Sequence, residues 1–354
     1  MTCRTLLQLG AAAFCFFQTF VPSRTFAQLP PVLSLQLNGG ASSLDITGDA
    51  GSACTVQFAT NLSADTAWLT LSNFTLLGSP SSVVDPGGAT TQQRFYRVAI
   101  FAPTNFAWIP AGTFTMGSPT NERVRGLDET QHVVTLTKGF YMGKFPVTQG
   151  NYLSLMNTNP GFFTPSNNFT LDLNRPVEQV SWSDATNYCA RFTQQERAAG
   201  RIFTNWSYRL PTEAEWEYSC RAGTTTPFYY GASLFAGLAN FNGQYEYVGG
   251  IGTTNASGVG TFLGRTASVG SYQPNALGLY DMAGNVWEWC ADWFGSYSTN
   301  SIANPQGSAT GSARVFRGGT FNSIGADCRS AKRNSSGPST AVNTIGFRVV
   351  LSGP

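Results

Sequence analysis

Between residues 28 and 101 the chain runs in short stretches that alternate apolar and polar positions. Leu33-Ser-Leu-Gln-Leu, Thr55-Val-Gln-Phe-Ala and Trp68-Leu-Thr-Leu all show the period of two of a half-buried strand. Asp85-Pro86-Gly87-Gly88 reads as a turn, and Arg94-Phe-Tyr-Arg-Val-Ala-Ile as a closing strand. Several short strands at this spacing predict a small all-β sandwich over 28–101. It carries no catalytic constellation, which fits a spacer or adhesion module.

The pattern changes near Thr104. Phe106 to Ser118 reads as a strand and turn, and His132-Val-Val-Thr-Leu-Thr as another strand. A helix opens after Pro146, with Thr148 as its N-cap. A second opens at Ser183 and places Ala185, Tyr188, Cys189 and Phe192 on one face. A third follows Pro211, where Thr212 and Glu215 have capping-box spacing. After Gly223 the chain is rich in Gly, Asn, Ser and Tyr, which predicts long ordered loops held by fasteners such as disulfides or metal ions. The segment from Phe228 to Gly252 has the composition of an adaptable binding surface. The second domain, 104–354, is therefore expected to be α+β with sparse regular structure.

Composition narrows the function. Arg4, the apolar run from Leu6 to Phe17 and Thr25-Phe-Ala read as a secretory signal peptide over 1–27. The mature protein is then exported, to the periplasm or the extracellular space, and no later run is long and apolar enough to span a membrane. Charged residues make up 11% and the net charge is +2, which gives no basic face for nucleic acid. Of seven cysteines, Cys3 and Cys15 leave with the signal, and the odd remainder is Cys54, Cys189, Cys220, Cys290 and Cys328.

A lone histidine, His132, excludes multi-histidine zinc sites, and no Gly-x-Ser-x-Gly elbow supports hydrolase chemistry. His132 reads as a plain strand residue. Glu213, Glu215 and Glu217 lie on one short helix, where they suit capping and surface ion pairs better than a glycosidase pair. Trp182, Trp216, Trp287, Trp289 and Trp293 read as core.

Six separated motifs then carry a resemblance. They are Ile109-Pro-Ala-Gly-Thr-Phe-Thr-Met-Gly-Ser, Tyr141-Met-Gly-Lys-Phe-Pro-Val-Thr, Pro176-Val-Glu-Gln-Val-Ser-Trp, Tyr208-Arg-Leu-Pro-Thr-Glu-Ala-Glu-Trp-Glu-Tyr, the run from Asn275 to Trp289, and Arg317-Gly-Gly. In this order they resemble the formylglycine-generating enzyme family, also called sulfatase-modifying factors, over roughly 104 to 354. The resemblance implies a variant of the C-type lectin-like fold. One branch of that family oxidises a cysteine of a client sulfatase to formylglycine, using copper(I) held by two cysteines just after the Gly-Gly pair.

Here the first of those positions is Ser323, and the chain runs straight on to Cys328 without the segment that would carry the second. Copper(I) is soft and favours thiolates, so copper is not expected. Thr320 stands where the oxidases have an assisting serine. Cys328 instead matches a structural cysteine that pairs with Cys220, while the partner position for Cys189 is Val349. The resemblance also implies a structural calcium ion, held by side chains of Asp281 and Glu288 and by carbonyls of Gly284 and Val286. A second calcium position would use Asn240 and the Phe241 carbonyl, but the carboxylate it needs is Thr261. The expectation is an exported, non-copper family member that acts as a ligand-binding or accessory module, with a protein or glycan ligand. The alternative is an oxidase that converts a sulfatase cysteine to formylglycine, or a related protein-modifying oxidase, whose copper ligands lie elsewhere.

Overall fold

The computed structural model describes residues 7–8, 32–38, 41–47, 53–60, 68–76, 80–86, 94–101, 103–249, 251–255 and 260–353. The chain divides into two compact units, Met1–Thr104 and Asn105–Pro354. The signal peptide read over 1–27 lies outside the described residues, except for Leu7–Gln8, which pair with Phe95 and Tyr96.

In the first unit, Leu7–Gln8, Phe95–Phe101, Ala53–Ala59 and Leu69–Thr75 form one sheet, in the order given. Val32–Asn38, Ala41–Thr47 and Ser81–Asp85 form another. The alternation seen in the sequence sets which residues turn inward. Leu44 and Ile46 from one sheet share a buried cluster with Cys54, Val56, Tyr96 and Val98 from the other. Beside it, Arg94 reaches Asp85 at 2.5 Å, and the Tyr96 hydroxyl donates to the same carboxylate at 2.8 Å.

The second unit is mixed, with few helices and many short strands. Helix α1 (Gln149–Met156) starts at Thr148, α2 (Trp182–Ala198) at Ser181 and α3 (Glu213–Arg221) at Thr212. Each N-cap hydroxyl accepts the N–H of the third helical residue. That residue's side chain returns the bond, so two otherwise orphaned donors are satisfied. Helix α2 thus begins just before Ser183, because Ser181 and Asp184 complete a box that an apolar-face argument does not see.

One four-stranded sheet has the order Ser207–Arg209, Val350–Ser352, Phe140–Gly143, Phe106–Ile109. A second has the order Arg333–Ser336, Arg314–Arg317, Trp287–Trp293, Ile345–Phe347, and its last pair is parallel. Gly112–Met116, His132–Leu136 and Ile302–Ala303 form a third. Trp216 of α3 packs at the centre with Ile109, Val134, Met282, Val315 and Val350.

Two expectations change. The segment from Phe228 to Gly252 is no loose surface. Phe228, Leu234, Phe241 and Tyr247 turn inward and pack with Ala283 and Cys328, and Tyr245–Val248 pairs with Gly252–Asn255 as a hairpin. Its apolar content is high enough to build a local core, which composition alone does not separate from a contact surface. Glu213, Glu215 and Glu217 are buried, and their ion pairs are internal. Arg333 grips Glu213 at 2.7 and 2.8 Å, and Arg209 grips Glu215 at 2.7 Å. Arg221 and Arg317 both reach Glu217. Trp216, Trp287 and Trp289 are buried, whereas Trp182 and Trp293 hold the guanidinium of Arg314 between them at 3.8 and 3.5 Å. Among the described residues, no helix is long and apolar enough to cross a membrane.

Candidate functional site

The strand Arg314–Arg317 runs into Gly318 and Gly319, whose φ angles are 101° and 78°. Those angles lie where only glycine sits without strain. Space demands glycine at the second position too, since a Cβ on Gly319 would lie 2.5 Å from the Cys328 sulfur. The pair swings the chain into a tight turn, Thr320 to Ser323. The Ser323 N–H donates to the Thr320 carbonyl at 2.9 Å, and Ser323 Oγ accepts the Thr320 N–H at 3.2 Å. Thr320 Oγ1 donates to the Asn285 carbonyl at 3.1 Å. Both hydroxyls therefore close the turn on itself and onto its neighbour.

Asn285 is the hub of this region. Its φ is 66°, a left-handed conformation that asparagine tolerates better than most residues. Its carbonyl accepts from Thr320 and Phe321, its N–H donates to the Asn240 carbonyl, and its Oδ1 accepts from Asn240 Nδ2 and Ala267 N. Sequence reasoning passed over Asn285, although an asparagine directly after Gly284 is a usual signal for such backbone. Asn240 Oδ1 is buried without a protein partner.

The turn leans on two neighbours. The Asn242 N–H donates to the Ser323 carbonyl at 2.9 Å, and Gly325 sits against the backbone at Tyr247 in the hairpin. Tyr247 donates in turn to the Arg123 carbonyl. On the far side Phe321 meets Phe163 edge-on at 5.2 Å. The Phe162 and Phe163 N–H groups both donate to Glu178 Oε1, while Glu178 Oε2 has no protein partner. Burial pushes the Glu178 carboxyl up to about 7.

The described cysteines are all free and buried. The bridge expected between Cys220 and Cys328 is replaced by a different contact. Cys220 Sγ faces Ser330 Oγ at 3.5 Å and the Met282 carbonyl at the same distance. Cys328, two residues before Ser330, turns under Gly319 into the cluster around Phe241 and Tyr247. The residue opposite Cys220 is thus a serine, which cannot form a disulfide. Burial pushes the Cys220 thiol up to about 11 and Cys189 up to about 12, and raises Cys328 still further. Copper(I) binds thiolates, so the donors near the turn (two committed hydroxyls and one buried, protonated thiol) do not fit it.

The calcium residues divide. Asp281 is buried in a left-handed conformation, with φ 57°. Its Oδ2 accepts the Gly270 N–H at 2.8 Å, and burial pushes its carboxyl up to about 6. That carboxylate is short of positive charge, which a hard cation would relieve. Glu288 is already served. Arg348 donates to both its oxygens, at 2.8 and 3.0 Å, and Trp216 Nε1 to Oε2 at 2.7 Å. Gly284 lies against the Asn240 carbonyl, and Val286 is buried nearby in sequence. Asp281 therefore fits a cation as a primary ligand, and Glu288 only as an oxygen shared with Arg348. Among the described residues there is no group of three or more His, Cys, Asp or Glu able to hold a metal.

Residues 93–352 match the family model described as a sulfatase-modifying factor enzyme 1-like domain. A formylglycine-generating enzyme of Streptomyces coelicolor is 39% identical over 185 residues, covering 49% of this chain and 52% of that protein. The chain thus spans about half the length of that relative. The mouse formylglycine-generating enzyme is 28% identical over 332 residues, covering 77% of this chain and 84% of its own length. Among solved structures, PvdO from Pseudomonas aeruginosa superposes with a TM-score of 0.55 at 30% identity, covering 70% of this chain and 94% of that one.

Proposed function

This chain belongs to the sulfatase-modifying factor family, and from that premise we propose that its second unit is a ligand-binding or accessory module and not a copper oxidase. One observation carries the reading. The two positions that would face a reacting cysteine, Thr320 and Ser323, spend their hydroxyls on closing the turn. The Thr320 hydroxyl already donates to a carbonyl and the Ser323 hydroxyl already accepts a backbone N–H, and a protonated hydroxyl so placed is neither a soft metal ligand nor a ready base.

The surface beside the turn suits a protein or glycan ligand. Val124 and Ile251 are exposed and Leu127 is 95% exposed, along the segment that the hairpin contacts through Gly252 and Val124. Solvent-facing apolar side chains next to a rigid turn are a usual basis for recognition. The first unit, with its two sheets sharing a core, serves as a sandwich-like spacer, and the chain is exported after loss of residues 1–27. The mass of the mature chain recovered from outside the cytoplasm tests both the export and the cleavage point.

The deciding experiment for the oxidase alternative is a turnover assay. Purified protein, copper(I) and oxygen are incubated with a cysteine peptide bearing a sulfatase-type motif, and mass spectrometry looks for the aldehyde. No product is expected while a known oxidase works alongside. Catalytic aldehyde formation would overturn the accessory reading and favour the activity named for the Streptomyces and mouse relatives.

A further inference from the structure

A cavity lies away from the Gly-Gly turn, at the N-terminal end of α3. It encloses about 260 Å3 between Glu213, His132, Asp292 and the segment from Gly295 to Ser308. Its walls include Met116, Trp293, Tyr297, Ile302 and Pro305. Small-ligand sites commonly combine apolar walls with a few convergent polar groups.

The polar groups here are unusual in what they leave open. Glu213 is fully occupied, by Arg333 on both oxygens and by the Tyr297 hydroxyl at 2.9 Å. Asp292 is not. Only 3% exposed, it accepts the Glu213 N–H on Oδ2 at 2.8 Å, and among the described residues no donor reaches Oδ1. Oδ1 lies beside Gly307, where a Cβ would come within 2.8 Å of it. His132, 7% exposed, places Nδ1 3.0 Å from the Thr130 carbonyl. That contact makes Nδ1 the donor, so Nε2 keeps its lone pair and no protein group donates to it. Two nearly buried acceptors, one of them a carboxylate, thus line one cavity without donors.

We propose that this cavity binds a small ligand through a primary ammonium group, with Asp292 Oδ1 and His132 Nε2 accepting its N–H bonds and the apolar wall covering its alkyl part. An ammonium supplies three donors and a positive charge on a compact head, whereas the cation already in the lining, Arg333, is committed to Glu213 and to the Asp128 and Gly295 carbonyls. A metal ion is the poorer match, since Asp292 and His132 find no third ligand of the usual kinds among the described residues. Burial, with Glu213 adding, pushes the Asp292 carboxyl up to about 7. Glu215 also acts to raise it, whereas Arg333, Arg209 and Arg314 favour its charged form. The inference does not depend on the role assigned to Thr320 and Ser323.

The test is calorimetric titration of the full chain with n-butylamine at pH 8, where Asp292 is charged and the amine protonated. 1-Butanol serves as the uncharged control of equal length. Saturable binding of the amine and none of the alcohol is expected. Asp292→Asn keeps the acceptor for the Glu213 N–H but loses the charge, and should weaken amine binding roughly tenfold or more. His132→Gln should weaken it by a smaller factor. Equal binding of amine and alcohol, or an Asp292→Asn variant that binds as tightly as the parent, overturns the proposal. Should Asp292→Asn not fold, Gln306→Trp on the exposed rim is the substitute. It should block the mouth, and unchanged amine binding in it overturns the proposal equally.

Discussion

Six of the nine carboxylates buried among the described residues of the second unit fall into two groups that the sequence does not distinguish. Glu213, Glu215 and Glu217 on α3 are each gripped by arginine. Glu178, Asp281 and Asp292 are as deeply buried, yet none forms an ion pair with a described residue, and burial pushes their carboxyls up to between about 6 and about 7. The cost of removing a carboxylate from water is common to both groups. What differs is whether a guanidinium repays it through geometry. The paired group bolts α3 to the sheets. The unpaired group marks the places where a proton, a cation or a ligand can change the energy of the fold.

The largest expected effect comes from converting a paired carboxylate into an unpaired one. Arg317 is fully buried, and it donates to the carbonyls of Ser330, Ala331 and Lys332 as well as to Glu217. Arg317→Met should lower unfolding free energy by about 3–5 kcal/mol, because Glu217 keeps its charge and loses one of two cations. Urea melts of the full chain would read this. Adding Glu217→Gln should recover part of the loss. If the double variant is no better, the three carbonyl bonds matter more than the charge, and the distinction between the groups weakens.

A smaller effect should follow from removing an unpaired charge. The Glu178 carboxyl sits at about 7 in the fold, against an ordinary value of 4.5. A raised acid holds its proton better when folded. Its contribution to stability is therefore full below about pH 4.5 and is lost as pH rises through about 7. The whole span is worth about 3 kcal/mol at most. Glu178→Gln keeps an acceptor for the Phe162 and Phe163 N–H groups and cannot ionise. The variant should match or exceed the parent at pH 8 and lose its advantage at pH 5. Asp281 and Asp292 titrate in the same window, so the difference between the two proteins, and not the parent's profile, is the quantity to follow. Parallel profiles would show that Glu178 is served by groups such as water that the protein contacts do not reveal.

Local interactions were legible from the chain, and distant ones were not. The Thr148 and Thr212 caps and the Thr212–Glu215 box depend on residues three apart, so spacing alone exposes them. The alternating strands of the first unit follow from a period of two. The Glu217–Arg317 pair joins residues 100 apart, and Arg329 reaches Glu129 across 200. No periodicity encodes either contact. Composition places the three glutamates of α3 at the surface; they are buried because, apart from Arg221 on the same helix, their partners Arg209, Arg317 and Arg333 come from strands distant in sequence. The cysteines fail in the same way. Choosing Cys328 over Ser330 as the neighbour of Cys220 requires knowing which of two residues, two apart in one turn, faces α3. The Gly318-Gly319 turn lies between these cases. Its glycines announce the backbone, but the commitment of the Thr320 and Ser323 hydroxyls appears only in three dimensions.

The smallest effect sharpens the comparison at its ambiguous member. Asp281 and Glu288 were read as ligands of one calcium ion, yet they belong to opposite groups. Glu288 has Arg348, whereas Asp281 has the backbone N–H of Gly270 and no ion pair with a described residue. If calcium completes Asp281, millimolar calcium should raise the melting temperature over EGTA by an amount equivalent to about 1–3 kcal/mol, as for any ligand that binds only the folded state. Asp281→Asn, which keeps the left-handed backbone accessible, should shrink that difference by removing the charge the ion would balance. Arg348→Lys should alter stability by disturbing the fork at Glu288 while leaving the calcium difference largely in place. A calcium response that vanishes with Arg348→Lys and survives Asp281→Asn would reverse the assignment. It would make Glu288 the primary ligand and leave Asp281 with the carboxylates that no cation completes.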